Sequence, residues 1–202
     1  MRPTIRSLVH LSTLSLVAVV SCRRPQASSR TPSPAAATST TTPSATPVTM
    51  RVSQGNVVAI VLAANNTDLS YARLVPARAS SPEVKAFAQR MLTDHTLLNA
   101  RINDIATRDR ITAEDNAVSL GFRDHSASRR DILRELDGAK FDSTYIANEV
   151  QYHQELLDAI SGILIPSTNG GELRDFVTSL RPAVSAHLAH AEQIRATLAS
   201  RK

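Results

Sequence analysis

Ser81-Pro82-Glu83-Val84-Lys85-Ala86-Phe87-Ala88-Gln89-Arg90-Met91 is the stretch on which the fold turns. Serine caps helices well, and proline suits the first helical position, where its missing N–H has no partner to lose. An acid just behind them suits the positive end of the helix dipole. Val84, Phe87, Ala88 and Met91 then recur at steps of three and four, and Leu98, Ile102 and Ile105 continue the stripe. That is the period of one helix face. It predicts a helix from the Ser81 cap to about residue 108.

The same period extends outward. Val57, Ile60, Val61, Ala64, Tyr71, Ala72 and Val75 form a stripe over 54–79. Pro76 is expected to kink its last turn, because proline lacks the backbone donor. Beyond the first stretch, an irregular segment containing Gly121 leads to a short helix over 124–136 that ends at Asp137-Gly138. A long helix over 141–164 is expected to stop before Pro166, and 167–171 reads as a polar loop. The last helix, over 172–199, carries Leu173, Phe176, Leu180, Val184, Ala191, Ile194 and Leu198. Pro182 falls inside it with the stripe in phase on both sides, so a bend is expected there, not a break. No alternating strand pattern appears from Ser53 onward. The reading is an all-α antiparallel four-helix bundle with an additional short helix.

The net charge of +5 points at first to nucleic acid, but its distribution excludes that. Arg2, Arg6, Arg23, Arg24 and Arg30 precede residue 50; removing these five from 23 basic residues leaves 18, against 18 acidic residues that all follow Met50. The helical part is neutral, with no basic stripe interleaved with aromatics. The chain has no tryptophan, three tyrosines and four phenylalanines, so its core must be mainly aliphatic.

Cys22 is the one cysteine. Arg2 and Arg6 precede an apolar run from Leu8 to Val20, the layout of a secretory signal. The run is shorter than the roughly 20 residues a spanning helix needs. Val19-Val20-Ser21-Cys22 resembles the bacterial lipoprotein box. That resemblance implies a signal peptide over 1–21, cleavage before Cys22, and a lipid on its thiol that holds the protein to the membrane. Arg23, not Asp, follows the cysteine. By resemblance to the enterobacterial sorting rule this implies the outer membrane, with the domain in the periplasm. Residues 22–49 are rich in Pro, Ser, Thr and Ala and read as a disordered tether. Residues 50–202 form one domain.

Phasing each helix at about 100° per residue places a polar group on every long apolar stripe. Asp68 lies on the first, His95 on the second, Glu149 and His153 (four apart, hence stacked) on the fourth, and His187 on the last. All lie near helix midpoints, so an antiparallel bundle brings them to one layer. His190 and Tyr145 lie at the stripe edges and Asp94 beside His95 is further round, giving three candidates for an outer shell. Two readings follow. Imidazoles and carboxylates from facing helices build metal sites for zinc, iron, copper or nickel. Equally, buried Asp–His and Glu–His pairs satisfy one another without metal. His125 lies off the stripes and reads as solvated; His10 belongs to the signal.

No enzyme motif is present. Asn169-Gly170-Gly171 lacks the Lys and Thr of a phosphate loop. Glu149 and His153 are four apart, and Glu192 has no histidine three residues on, so the Glu-x-x-His pairs of di-iron bundles are missing.

The stretch from Ala79 to Met91 followed by Asp94-His95, the block Gly138, Phe141-Asp142, Tyr145 and His153, and the block Leu180-Arg181-Pro182 with His187-Leu188 together resemble domain-of-unknown-function family 4142. This is a family of bacterial exported or outer-membrane proteins. The resemblance covers about residues 53–198 and implies a ferritin-like fold without an assigned reaction. It supports the Asp94-His95, His153 and His187 positions. Asp68 stands where the family usually carries Glu, a shorter reach. The functional expectation is a lipid-anchored envelope protein with a non-catalytic binding or stress-related role and an envelope protein partner. The alternative is a metal-binding or metal-storage module using Asp68, His95, Glu149, His153 and His187. A redox-metal enzyme is a third reading, which needs an open coordination position.

Overall fold

The computed structural model describes residues 51–201; Cys22, the signal segment and the tether lie outside the described residues. The elements are helices α1 (Gln54–Ala72), α2 (Val75–Arg78), α3 (Pro82–Arg108), α4 (Ala117–Arg134) and α5 (Gly138–Ala159), a π-helical turn (Ile160–Leu164), α6 (Ile165–Ser167) and α7 (Gly171–Ser200). No strand occurs among the described residues. The chain here is all-helical.

Local chemistry sets the boundaries. Ser53 Oγ accepts the Asn56 N–H while Asn56 Oδ1 accepts the Ser53 N–H, a reciprocal cap that starts α1. The expected helix over 54–79 is broken. A proline ring clashes with the carbonyl four residues back, which for Pro76 is Ala72, the last residue of α1. The chain turns at Arg73-Leu74 and restarts as α2. Ser81 caps α3 with Pro82 at its first position, as the sequence predicts. Gly138, at φ 58, starts α5 from a left-handed conformation that glycine tolerates.

Two other expectations need correction. The additional helix is not short: α4 has 18 residues against 19 in α1. Asn116 Oδ1 accepts the Val118 and Ser119 N–H groups, and Ser119 Oγ accepts the Asn116 N–H. That cap, with Val118 and Phe122 packed on the core, outweighs the roughly 1 kcal/mol that Gly121 costs inside a helix. Nor does the fourth helix stop before Pro166. The π-helical turn contains Gly162, whose carbonyl a proline at 166 would strike in a regular helix, and this wider turn lets the chain continue to Ser167. Arg174 Nη1 then donates to the Ile165 and Thr168 carbonyls at 2.9 and 2.8 Å, closing that end. The helix α7 runs unbroken through Pro182.

α1 packs between α3 and α4, α5 packs along α7, and α3 meets α7. This explains why α1 is apolar on nearly every side: Val57, Val58, Ile60, Val61, Ala63 and Ala64 are all buried. One apolar cluster joins the start of α1, the end of α3, the end of α5 and the start of α7. A second joins the end of α1, the start of α3, the start of α5 and the end of α7. α1 and α7 therefore run one way and α3 and α5 the other, with α4 returning the chain between them. A polar layer lies between the two apolar clusters.

Candidate metal centre

Four of the helices, α1, α3, α5 and α7, cross that layer with ionisable side chains. α1 brings Asp68, α3 brings His95, α5 brings Glu149 and His153, and α7 brings His187. Asp68 is 1 % exposed, His187 4 %, and the other three 0 %. One nitrogen from each of His95, His153 and His187 lies within 4.8 Å of the others. A second group, Asp68, Glu149 and His153, meets the same distance limit.

The protonation pattern of the imidazoles follows from their outer partners. His153 Nδ1 is 2.8 Å from the Glu149 carbonyl oxygen, which only accepts, so Nδ1 carries the proton. His187 Nε2 is 2.9 Å from Asp94 Oδ2 and donates to it. His95 Nδ1 is 3.0 Å from Asn65 Oδ1 and donates to that amide oxygen. Each ring therefore has one N–H tied outward and one bare nitrogen: His95 Nε2, His153 Nε2 and His187 Nδ1, none with a hydrogen-bond partner. A metal-ligating histidine needs this arrangement, with an acceptor fixing the tautomer and a lone pair left for the ion. Burial also holds the rings neutral. It pushes His153 down to about 4, His187 below the ordinary histidine value, and His95 well below it with help from its two imidazole neighbours.

The carboxyl pair behaves oppositely. Burial pushes Asp68 up to about 8, and burial with the Asp68 charge beside it pushes Glu149 well above the usual range. The two carboxyl groups lie against each other, so that a proton on one is shared with the other, and His95 Nε2 approaches Asp68 Oδ2 at 3.3 Å. Two facing carboxylates in a dry site do not both ionise unless a cation joins them. The donor set thus fits a cation: three bare imidazole nitrogens and two facing carboxyl groups, all buried.

Of the three outer candidates, Asp94 orients His187, and the buried Tyr145 hydroxyl lies against Glu149. His190 is half-buried on Phe87, ring centres 5.3 Å apart, and takes no part in the cluster. Sequence reasoning missed Asn65, Tyr71 and Tyr152. Tyr71 and Tyr152 are fully or nearly fully buried, their rings 6.1 Å apart; burial raises the Tyr71 phenol to about 12, with a smaller push from the carboxyl pair. Tyr152 donates to the Ala64 carbonyl at 2.9 Å. Asn65 was signalled only by its place three residues before Asp68 on the apolar α1.

The chain matches the model for the domain of unknown function DUF4142 over residues 37–194. No curated protein matches it in sequence. Among solved structures it is similar to a DUF305 protein from Streptomyces coelicolor, described there as a candidate secreted protein. The TM-score is 0.61 at 10% identity, over 73% of this chain and 94% of that one, a likeness of fold alone. With most of its length inside the matched region, this protein belongs to the DUF4142 family.

Proposed function

We propose that the protein is a metal-binding module held at the bacterial envelope by a lipid on Cys22. The observation that carries the metal reading is the set of three bare imidazole nitrogens on three different helices, each fixed by an outer acceptor. Imidazole sets of this kind suit zinc, copper, iron or nickel. The helix directions support a ferritin-like bundle of α1, α3, α5 and α7, with α4 as the crossover. Burying an ionisable carboxyl pair costs stability that an amide pair would spare, which favours a functional role for Asp68 and Glu149. The envelope reading rests on Val19-Val20-Ser21-Cys22 and is supported by the description of the DUF305 neighbour as secreted. Among the described residues no helix is long and apolar enough to cross a membrane. Replacement of Cys22 by Ser should move the protein out of the membrane fraction; unchanged fractionation refutes the lipid anchor. On this reading the module handles or stores metal outside the cytoplasm and carries out no reaction of its own.

The second reading, a structural network, is favoured by the 3.3 Å approach of His95 Nε2 to Asp68 Oδ2. With the Asn65 amide turned over, its Nδ2 would donate to His95 Nδ1 and His95 Nε2–H to Asp68. One experiment separates the two. The full chain, purified in detergent, is stripped with a chelator, reloaded with zinc, copper or iron, and assayed for bound metal and thermal stability. The metal reading expects one ion per chain and a stabilisation of about 2.7 kcal/mol at a hundredfold excess over Kd. Both should vanish when His153 and His187 are changed to Ala. No bound ion and no shift leaves the structural network.

A further inference from the structure

The polar layer holds two ligand sets of different chemistry that meet at one residue. His95, His153 and His187 form an all-nitrogen set, and Asp68, Glu149 and His153 form an oxygen-rich one. His153 belongs to both, yet it has a single lone pair to give: its Nδ1–H is held by the Glu149 carbonyl at 2.8 Å, with Glu149 Oε2 3.6 Å from the same nitrogen, which leaves Nε2 as the ligating atom. One lone pair binds one ion. The geometry points to a site for a single ion with two alternative positions that exchange at His153: an imidazole position on the α3–α7 side and a carboxylate position on the α1–α5 side. This inference rests on the metal-binding reading and specifies which ion takes which position.

Ligand chemistry makes the assignment. Carboxylate oxygens suit harder ions such as Mn2+, and imidazole nitrogens suit Zn2+ and Cu2+. Asp68 and Glu149 are 1 % and 0 % exposed and face each other within the layer, and no Lys or Arg side chain among the described residues forms an ion pair with either. The two positions differ in support as well. Asp94 and Asn65 brace the imidazole position from outside. The carboxylate position has no comparable outer acceptors, only the phenols of Tyr145, Tyr71 and Tyr152 around it, which leaves its oxygens freer to adjust to a larger ion.

The test uses the full chain in detergent and the metals alone. Binding of Mn2+ is followed by loss of the free-ion electron paramagnetic resonance signal, and Zn2+ is then added to the same sample. The expected result is one bound Mn2+ per chain, displaced one for one by Zn2+. In parallel, Asp68→Asn should weaken Mn2+ at least tenfold and change Zn2+ less than threefold; His187→Gln should do the reverse. The wild-type competition needs no variant to fold. Zn2+ and Mn2+ bound together overturn the single-ion inference. Variants that weaken both ions equally, or Mn2+ failing to bind where Zn2+ does, overturn the two-position inference and leave the metal reading standing. Binding of neither ion overturns both.

Discussion

Replacing Asp68 by Asn should stabilise the metal-free protein, although it removes a core residue's charge and leaves its size nearly unchanged. In the unfolded chain the Asp68 carboxyl titrates at its ordinary 3.8, and in the fold burial raises it to about 8. At pH 7 the unfolded form has lost its proton and the folded form has kept it. A gap of about 3.2 pH units at 1.36 kcal/mol each makes the folded state worse by about 4 kcal/mol relative to a residue that never ionises. That figure is a ceiling, since the asparagine must still sit beside Glu149. The sign follows from linkage: a folded value raised above the unfolded one gives stability that is present at low pH and lost as pH rises through about 8. Wild-type stability should therefore keep falling between pH 7 and pH 9, with Glu149, raised in the same way, adding to the slope, a window in which the histidines are mostly neutral in both states. The assay is urea denaturation with chelator present at pH 7, 8 and 9, for both proteins. Asp68→Asn should show a higher midpoint at pH 7 and a flatter slope above it. A variant no more stable than wild type, with the same alkaline slope, would refute the claim that burial drives this carboxyl.

The histidines give the opposite limb. His153 is held at about 4 in the fold, below its ordinary 6.5, so stability of the metal-free protein should fall as pH drops from 6.5 to 4, by up to about 3 kcal/mol from this residue. His153→Gln should flatten that limb in the same urea assay. Gly55→Ala would place a Cβ 2.5 Å from the Thr112 carbonyl oxygen, where the Gly55 carbonyl already accepts the Glu114 N–H at 3.0 Å. Overpacking against backbone should cost about 1–3 kcal/mol, read as a lower urea midpoint at unchanged slope. Asp142, 1 % exposed, accepts the Ser80 and Ser81 N–H groups at 3.1 and 2.8 Å and the Ser80 hydroxyl. Asp142→Ala should cost about 2–4 kcal/mol by leaving the entry to α3 without these acceptors; an unchanged melting temperature would show that water replaces them.

Helix existence was legible because 3.6-residue periodicity is a local signal, and the Ser81-Pro82 start was legible because a cap is chemistry between neighbours. The start of α4 was missed because Asn116 and Ser119 cap it through a pattern that an apolar stripe does not reveal. The breaks near Pro76 and the continuation past Pro166 show one residue type with two outcomes. Proline forbids one backbone bond in both cases, and whether the chain turns away or widens into a π-helical turn depends on what packs around it. The breadth of the apolar face on α1 was visible from residue order, but not its cause, which is α4 lying along it.

By itself, then, the order of residues determined that the domain is helical, that its charge is balanced, and that four apolar stripes each carry an ionisable group, although α1 ends at Ala72 and so places Asp68 near its end and not at mid-length. Those are properties of composition and period, and they need no knowledge of neighbours. Only the tertiary structure decided which atoms meet. Helix phase from sequence places a residue on a face but not a nitrogen in space. The partition into an imidazole set and a carboxylate set, with His153 in both, depends on the directions of four helices and on ring orientations. Those orientations come from Asn65, the Glu149 carbonyl and Asp94, acceptors from a helix face, a main chain and a half-exposed side chain, of which the sequence offered only Asp94 as a candidate.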